Sequence, residues 1–254
     1  MYRYVIKRLL LMIPIVIGTA FIIYGIICAI PGDPGRMILG FTATEEQVQE
    51  LNEQLGVNLP FFQRFFNYMV NVFTHFDLGT SYLTGVPVLE EIGRRLPCTL
   101  ILAFGATILS LLIGLPVGVL SAVKQYSLLD VIPSAIALLL ACIPSFVIAM
   151  VLLLVFALNL HWFPATGIGT IRHYILPILA LGLPYAGIQM RFTRSTMLET
   201  IRQDYVRTAR AKGAPKRDVI WKHAMKNALL PIITIAGTNF GGLLGGAVTL
   251  EIIF

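Results

Sequence analysis

The chain has 254 residues, 57% of them hydrophobic and 13% charged, and its mean hydropathy is +0.81. Average chains carry about 45–50% apolar and roughly 25% charged residues, so there is too little charge to coat a water-soluble core, and a soluble globule is excluded. Nineteen Lys and Arg against thirteen Asp and Glu leave a net charge of +6. That balance suits nucleic acid or a membrane topology, and the placement of the charges decides between them.

Residues 9–30 carry no charge, and at ~1.5 Å per residue they span about 33 Å, enough for a ~30 Å hydrocarbon core. A secretory signal has a shorter apolar region and small residues before its cleavage site, and a lipoprotein signal has a small residue before its cysteine. Here Ile27 precedes Cys28. The segment reads as an uncleaved anchor, with Arg3, Lys7 and Arg8 holding the N-terminus in the cytoplasm.

The segment 31–95 opens on the breaker cluster Pro31, Gly32, Asp33, Pro34 and Gly35. Thr44 with Gln47 then forms a capping box for a helix ending near Gly56. From Pro60, the residues Phe62, Phe65, Phe66, Met69, Val72, Phe73 and Phe76 recur at helical spacing. This aromatic face either packs on the membrane bundle or lies in the outer interface. No nucleophile, base and orienting group fall together here.

Charge-free runs follow at 96–123, 131–161, 174–190 and 228–250, so five spans are expected. The third contains Pro144, which can kink a membrane helix. Residues 191–226 hold Arg191, Arg194, Arg202, Arg207, Arg210, Lys212, Lys216, Arg217, Lys222 and Lys226 against only Glu199, Asp204 and Asp218. Such a loop is cytoplasmic. Counting back places 31–95 outside, and up to Leu89 that segment carries six carboxylates (Asp33, Glu45, Glu46, Glu50, Glu53 and Asp77) beside Arg36 and Arg64. Arg94 and Arg95 run against the trend, partly matched by Glu90 and Glu91. The organisation expected is therefore a cytoplasmic N-terminus and first span (1–30), an extracytoplasmic helical segment (31–95), and a membrane core (96–254) containing a cytoplasmic loop at 191–227. Five spans leave the end outside at Phe254, within an apolar stretch. The natural polypeptide is expected to continue, or the sequence to be a fragment.

Gly114 with Gly118, and Gly237, Gly241 and Gly245 with Gly242 and Gly246, put small surfaces on helix faces, where backbones can approach closely. Helix packing is expected there, and the same faces would serve sliding during a transport cycle. Glu251 is read as an interfacial carboxylate rather than a proton relay. Cys28, Cys98 and Cys142 are too dispersed for a disulfide framework or zinc site, and His75, His161, His173 and His223 are scattered. No metal site and no catalytic residue is assigned.

The informative stretch is DYVRTARAKGAPKRDVIWKHAMKNALLP, residues 204–231. Residues 205–212 favour helix, Gly213 supplies a left-handed stop, and Ala214-Pro215 opens a second helix. On that second helix Val219, Ile220, His223 and Ala224 are expected to share one face. The residues alone leave two readings open, a docking element for another protein or a patch binding anionic lipid.

The order Thr208, Ala209, three residues, Gly213 resembles the "EAA" loop of permease subunits of ATP-binding-cassette importers, and TARAKG is the form typical of the dipeptide, oligopeptide and nickel branch. The likeness extends to YVIKRLL (4–10), PGDP (31–34), LGTSY (78–82), RLPCTL (95–100), IPSF (143–146), WFPATG (162–167), RFTRSTMLE (191–199) and LLGGAVTLEIIF (243–254). It covers essentially the whole chain. Two positions depart from the general pattern: Arg207 stands where an acidic residue is usual, and the apolar-proline ending comes late, at Leu230-Pro231.

The resemblance implies an all-α polytopic bundle of the type I importer kind in the bacterial inner membrane, with the family's last span expected after 254. It implies one of two permease subunits paired around a path, two cytoplasmic ATPases below, and an extracytoplasmic binding protein delivering peptides or, alternatively, nickel or a metal chelate. ATP and Mg would be used by the ATPases; no cofactor is expected on this chain, which has no GxxxxGK[ST] loop. Ala209 would make the packing contact with an ATPase and Gly213 the tight turn, with Asp204, Tyr205, Arg207 and Thr208 around them. Gly213→Asp would then uncouple hydrolysis from uptake or prevent ATPase binding. An ion-coupled carrier is disfavoured by the missing intramembrane charges, an intramembrane enzyme by the lack of HExxH or Ser/His groupings, and nucleic-acid binding because topology explains the basic cluster and no stacking aromatics interleave it.

Overall fold

The computed structural model describes residues 2–30, 32–40, 42–82 and 84–254. Among them the regular elements are helices, and the one extended pairing is an isolated bridge between Thr80 and Pro87. The chain divides into two compact units, Met1–Arg95 and Leu96–Phe254.

In the first unit, α1 (Tyr2–Ala29) is an apolar helix with no buried residue, about 42 Å long at 1.5 Å per residue. Helix α2 (Pro34–Leu39) starts at Asp33, whose carboxylate accepts the Arg36 N–H at 3.2 Å, and Pro34 occupies its first turn. Of the breaker cluster, Pro31 lies outside the described residues. Helix α3 (Glu45–Gln54) carries the expected capping box: Gln47 N–H donates to Thr44 Oγ1 at 3.4 Å, and Thr44 N–H donates to Gln47 Oε1 at 3.1 Å. Asn52 joins α3 to α2, accepting the Gly35 N–H at 2.9 Å and donating to Asp33 Oδ1 at 2.7 Å. A Cβ at Gly35 would stand 2.8 Å from both Asn52 Oδ1 and the Val48 carbonyl, so only glycine admits this contact.

The Asn52 amide, helped by the Arg36 and Gly35 N–H groups, holds the Asp33 carboxyl below its ordinary 3.8. A folded pKa below the unfolded one means that the cap contributes fully above 3.8 and is lost only as pH falls through the depressed value. Exchange of the Arg36 amide hydrogen is therefore expected to stay slow on acidification through 3.8 and to accelerate only below it. Acceleration at or above the ordinary value would show that these bonds do not hold the ionised form.

Helix α4 (Phe61–His75) divides its aromatic residues between two environments. Phe61 and Phe65 meet Phe21 of α1 edge-on, at centroid distances of 5.4 and 5.1 Å, and Tyr68 stacks on Tyr24 at 5.4 Å. Arg64 donates to the Val57 carbonyl at 2.8 Å and to Cys28 Sγ at 2.6 Å. Phe62, Phe66, Phe73 and Phe76 remain exposed, Phe62 at 75%. One edge of α4 thus packs on the first span, with Phe62 also stacked on Phe21 at 6.3 Å, while Phe66, Phe73 and Phe76 leave phenyl rings exposed.

The remaining elements are α5 (Val88–Val123), whose residues from Leu96 belong to the second unit, and, within that unit, α6 (Leu128–Cys142), α7 (Ser145–Leu152) running into a π-helical stretch (Leu153–Asn159), α8 (Ile171–Ile201), α9 (Asp204–Ala211), the short α10 (Lys216–Asp218), a second π-helical stretch (Val219–Ala224), and α11 (Met225–Ile253). Among the described residues four helices are long and apolar enough to cross a membrane: α1, α5, α8 and the composite Lys216–Ile253. The third expected span is instead two helices, Leu128–Cys142 and Ser145–Asn159, meeting at 99°. Pro144 lacks an N–H and pushes the residue before it out of helical geometry; Ile143 is extended at ψ 125°. The kink expected there is a full break.

One core cluster joins Leu102, Ala103 and Ala106 of α5, Ala149 of α7, Ala180 and Leu181 of α8, and Leu243, Ala247 and Leu250 of α11. Thr99 donates to Glu251 at 2.6 Å beside it. Alanine dominates because the helices lie close. A Cβ on Gly114 would come within 2.8 Å of Gln189 Cβ and 2.9 Å of the Ala186 carbonyl, and one on Gly118 within 2.6 Å of the Met190 carbonyl. Gly237, Gly241 and Gly245 differ from expectation: nothing lies within 4 Å of an added Cβ. Among the described residues nothing covers that face of α11, and the neighbouring face carries the contacts, with Gly242 against the Tyr185 hydroxyl and Gly246 against Leu181.

Candidate functional site

The basic hairpin is built by two local signals. Helix α9 is amphipathic, with Val206 and Ala209 turned inward one turn apart. Its end is a Schellman motif: Gly213, at φ +79°, donates its N–H to the Arg210 carbonyl at 3.0 Å, and Ala214 N–H reaches the Ala209 carbonyl at 3.2 Å. Pro215 then caps α10, where Asp218 and Val219 N–H groups bond its carbonyl at 2.9 and 3.0 Å. Pro215 therefore precedes the second helix rather than occupying its first turn.

The chain from Val219 to Ala224 is π-helical. Its i→i+5 bonding aligns residues five apart rather than four, so Val219 and Ala224 are both buried while His223 is exposed. His223 leaves the face assigned to it because the regular 3.6-residue register does not apply there.

Val206, Val219 and Ala224 pack with Val119 and Ala122 of α5, Met197 of α8, and Met225, Ala228 and Ile232 of α11. The hairpin is thus seated on the ends of three long helices. A cavity of about 330 Å³ between them is lined by Val123, Ile201, Arg210, Ala214, Lys216, Val219 and Ile220. The outward surface carries Asp204, Tyr205, Arg207, Thr208, Lys212 and Gly213, all exposed. Arg207 stands 3.8 Å from Asp204, and Thr208 Oγ1 donates to the Asp204 carbonyl at 2.9 Å.

Ala209 needs correction. At 8% exposure its side chain is turned inward, leaving little surface for the outward packing contact expected of it. A small residue is required there because α9 lies against the rest of the hairpin.

Close to the hairpin is a constellation that the charge count passed over. Asp130, 2% exposed, lies in the first turn of α6. Its carboxylate accepts Arg194 Nε at 2.5 Å and Nη2 at 2.8 Å, the Tyr126 N–H at 2.9 Å, the Ser134 hydroxyl at 3.4 Å, and the Ser121 hydroxyl. Arg194 appeared in the sequence only as one of ten loop cations. The signal that could have found the pair is a lone aspartate opening an otherwise apolar run, which in a membrane protein needs a partner.

Matching to protein families aligns residues 114–254 with the binding-protein-dependent transport system inner membrane component, and residues 1–103 with the N-terminal part of such membrane components. The chain belongs to this family. The dipeptide transport system permease protein DppB of Alkalihalophilus pseudofirmus is 40% identical, over the whole of this chain and 84% of the relative. Glutathione transport system permease proteins GsiC from Salmonella choleraesuis and Escherichia coli K12 are 37% and 36% identical, again over the whole chain and 83% of each relative. The all-helical bundle is that of an ATP-binding-cassette importer permease, a multi-pass inner-membrane component of a binding-protein-dependent system.

Proposed function

We propose that this permease forms half of a translocation path for peptides, paired with a second permease subunit, with two ATPases bound at the 204–213 surface and a substrate-binding protein on the opposite side. The names of its relatives, dipeptide and glutathione permeases, support short peptides over nickel or a metal chelate. On this reading the N-terminus is cytoplasmic, segment 31–95 is extracytoplasmic, 96–254 is the permease core, and ATP and Mg are handled by the ATPases, this chain binding neither. The single observation that carries it is the Schellman-capped hairpin, whose apolar side is fixed to α5, α8 and α11 while its polar edge is exposed. A rigid element joined to several spans can pass on a push that a flexible lipid-binding loop would absorb.

The coupling surface falls to Asp204, Tyr205, Arg207, Thr208 and Gly213, with Ala209 supporting it from within. A Thr208→Cys subunit, coexpressed with the ATPase from the same system, is expected to crosslink to it, and the yield should change when nucleotide closes the ATPase dimer. A hairpin that labels only from outside intact cells, or never crosslinks, rules the assignment out. The ligand that co-purifies with the binding protein tests the peptide reading separately.

A further inference from the structure

We propose that Asp130 and Arg194 form a positioning clamp that passes motion of the basic hairpin to the broken α6–α7 unit. This rests on the reading of the hairpin as the ATPase contact. One carboxylate gathers four places: Ser121 on α5, the Tyr126 amide in the α5–α6 turn, Ser134 one turn along α6, and Arg194 on α8. Tyr126 takes a left-handed φ of 66°, unusual for a residue with a Cβ, and the carboxylate bonds its N–H. Arg194 uses two nitrogens on the two carboxylate oxygens, a fork that fixes orientation as well as distance.

The clamp lies where force would have to pass. Met197, one turn beyond Arg194 on α8, is buried against the hairpin's Val206 and Val219. Helix α6 bears no residue of that apolar cluster, so the clamp is its polar attachment beside the hairpin's seat. Along α6 the next feature is the 99° break at Pro144, a place where a helix can pivot. A hairpin displaced by its partner would carry α8 directly, through apolar packing; α6 already lies along α8, where a Cβ on Gly187 would stand 2.5 Å from the Ala137 carbonyl, and the Asp130–Arg194 bonds add the oriented tie at its hairpin end.

The test uses the assembled transporter in nanodiscs, with Cys28, Cys98 and Cys142 changed to Ala and spin labels at Leu139→Cys on α6 and Ile22→Cys on α1, which bears no residue of the hairpin's apolar seat. Both positions are exposed. The parent label distance is expected to shift between nucleotide-free and vanadate-trapped states. In Arg194→Gln and Asp130→Asn the shift should shrink about twofold or more while ATP hydrolysis continues, and the double variant should be no worse than either single one, because residues sharing one interaction are not additive. Arg194→Lys keeps the charge without the fork and should restore part of the shift. If a single variant fails to assemble, Asp130→Asn/Arg194→Gln carries the test, since it leaves no buried charge unpaired. A full shift in the variants beside a shifting parent that crosslinks at Thr208→Cys overturns the clamp alone. A parent with neither shift nor crosslink overturns the hairpin reading and the clamp with it.

Discussion

A Gly118→Ala subunit is expected to unfold about 1–3 kcal/mol more easily than the parent chain in micelles, and Gly118→Val more easily still. The added methyl would meet the Met190 carbonyl at 2.6 Å and Thr193 Cβ at 2.7 Å. Neither is the far end of a flexible side chain, so α5 and α8 must separate. Separation loses the packing that holds membrane helices together, because lipid offers no hydrophobic drive to replace it. Gly114→Ala should behave similarly, with Ala186 and Gln189 in the way. Gly241→Ala is the control: no atom lies within 4 Å, and alanine favours helix over glycine by about 1 kcal/mol. Unfolding of the purified subunit by SDS titration orders the four variants. Equal stability of Gly118→Ala and Gly241→Ala would mean that the α5–α8 contact is looser than described.

These glycines also show how far the sequence can be read. Spacing reveals which residues share a helix face, but not whether another helix lies over it. Hence Gly114 and Gly118 meet α8, while Gly237, Gly241 and Gly245 meet nothing among the described residues. Gly105, Gly182 and Gly187, each with a neighbour that an added Cβ would crowd, stand at no regular spacing and were not found. The long apolar helices were legible because lipid forces every span to be long and uncharged, and the Thr44 and Gly213 caps because they depend on a few adjacent residues. The break at Pro144 was legible as a kink only, since a proline marks where hydrogen bonds are lost and packing sets the angle. His223 was misplaced by a π turn that periodicity cannot register, and Asp130 was missed because its partner lies 64 residues away.

At the hairpin, Gly213→Val should abolish coupling where Gly213→Asn preserves most of it. The position has φ +79° and open space around an added Cβ, so sterics with neighbours are not the obstacle; the backbone conformation is. A β-branched residue is strained in the left-handed region, by roughly 1–3 kcal/mol, whereas Asn and Asp visit it with less difficulty. Valine would release the strain by undoing the Gly213 and Ala214 bonds to Arg210 and Ala209, swinging α9 away from Val219 and exposing Val206. The polar edge of Asp204, Arg207 and Thr208 would then lose its fixed orientation. By the same reasoning Gly213→Asp acts less through strain than through a new carboxylate among Arg210, Lys212 and Lys216, and its effect should weaken as ionic strength rises. Transport per ATP hydrolysed, compared across the three variants in proteoliposomes at low and high salt, separates the two causes. If valine and asparagine reduce it equally, the left-handed turn is not what presents the hairpin to its partner.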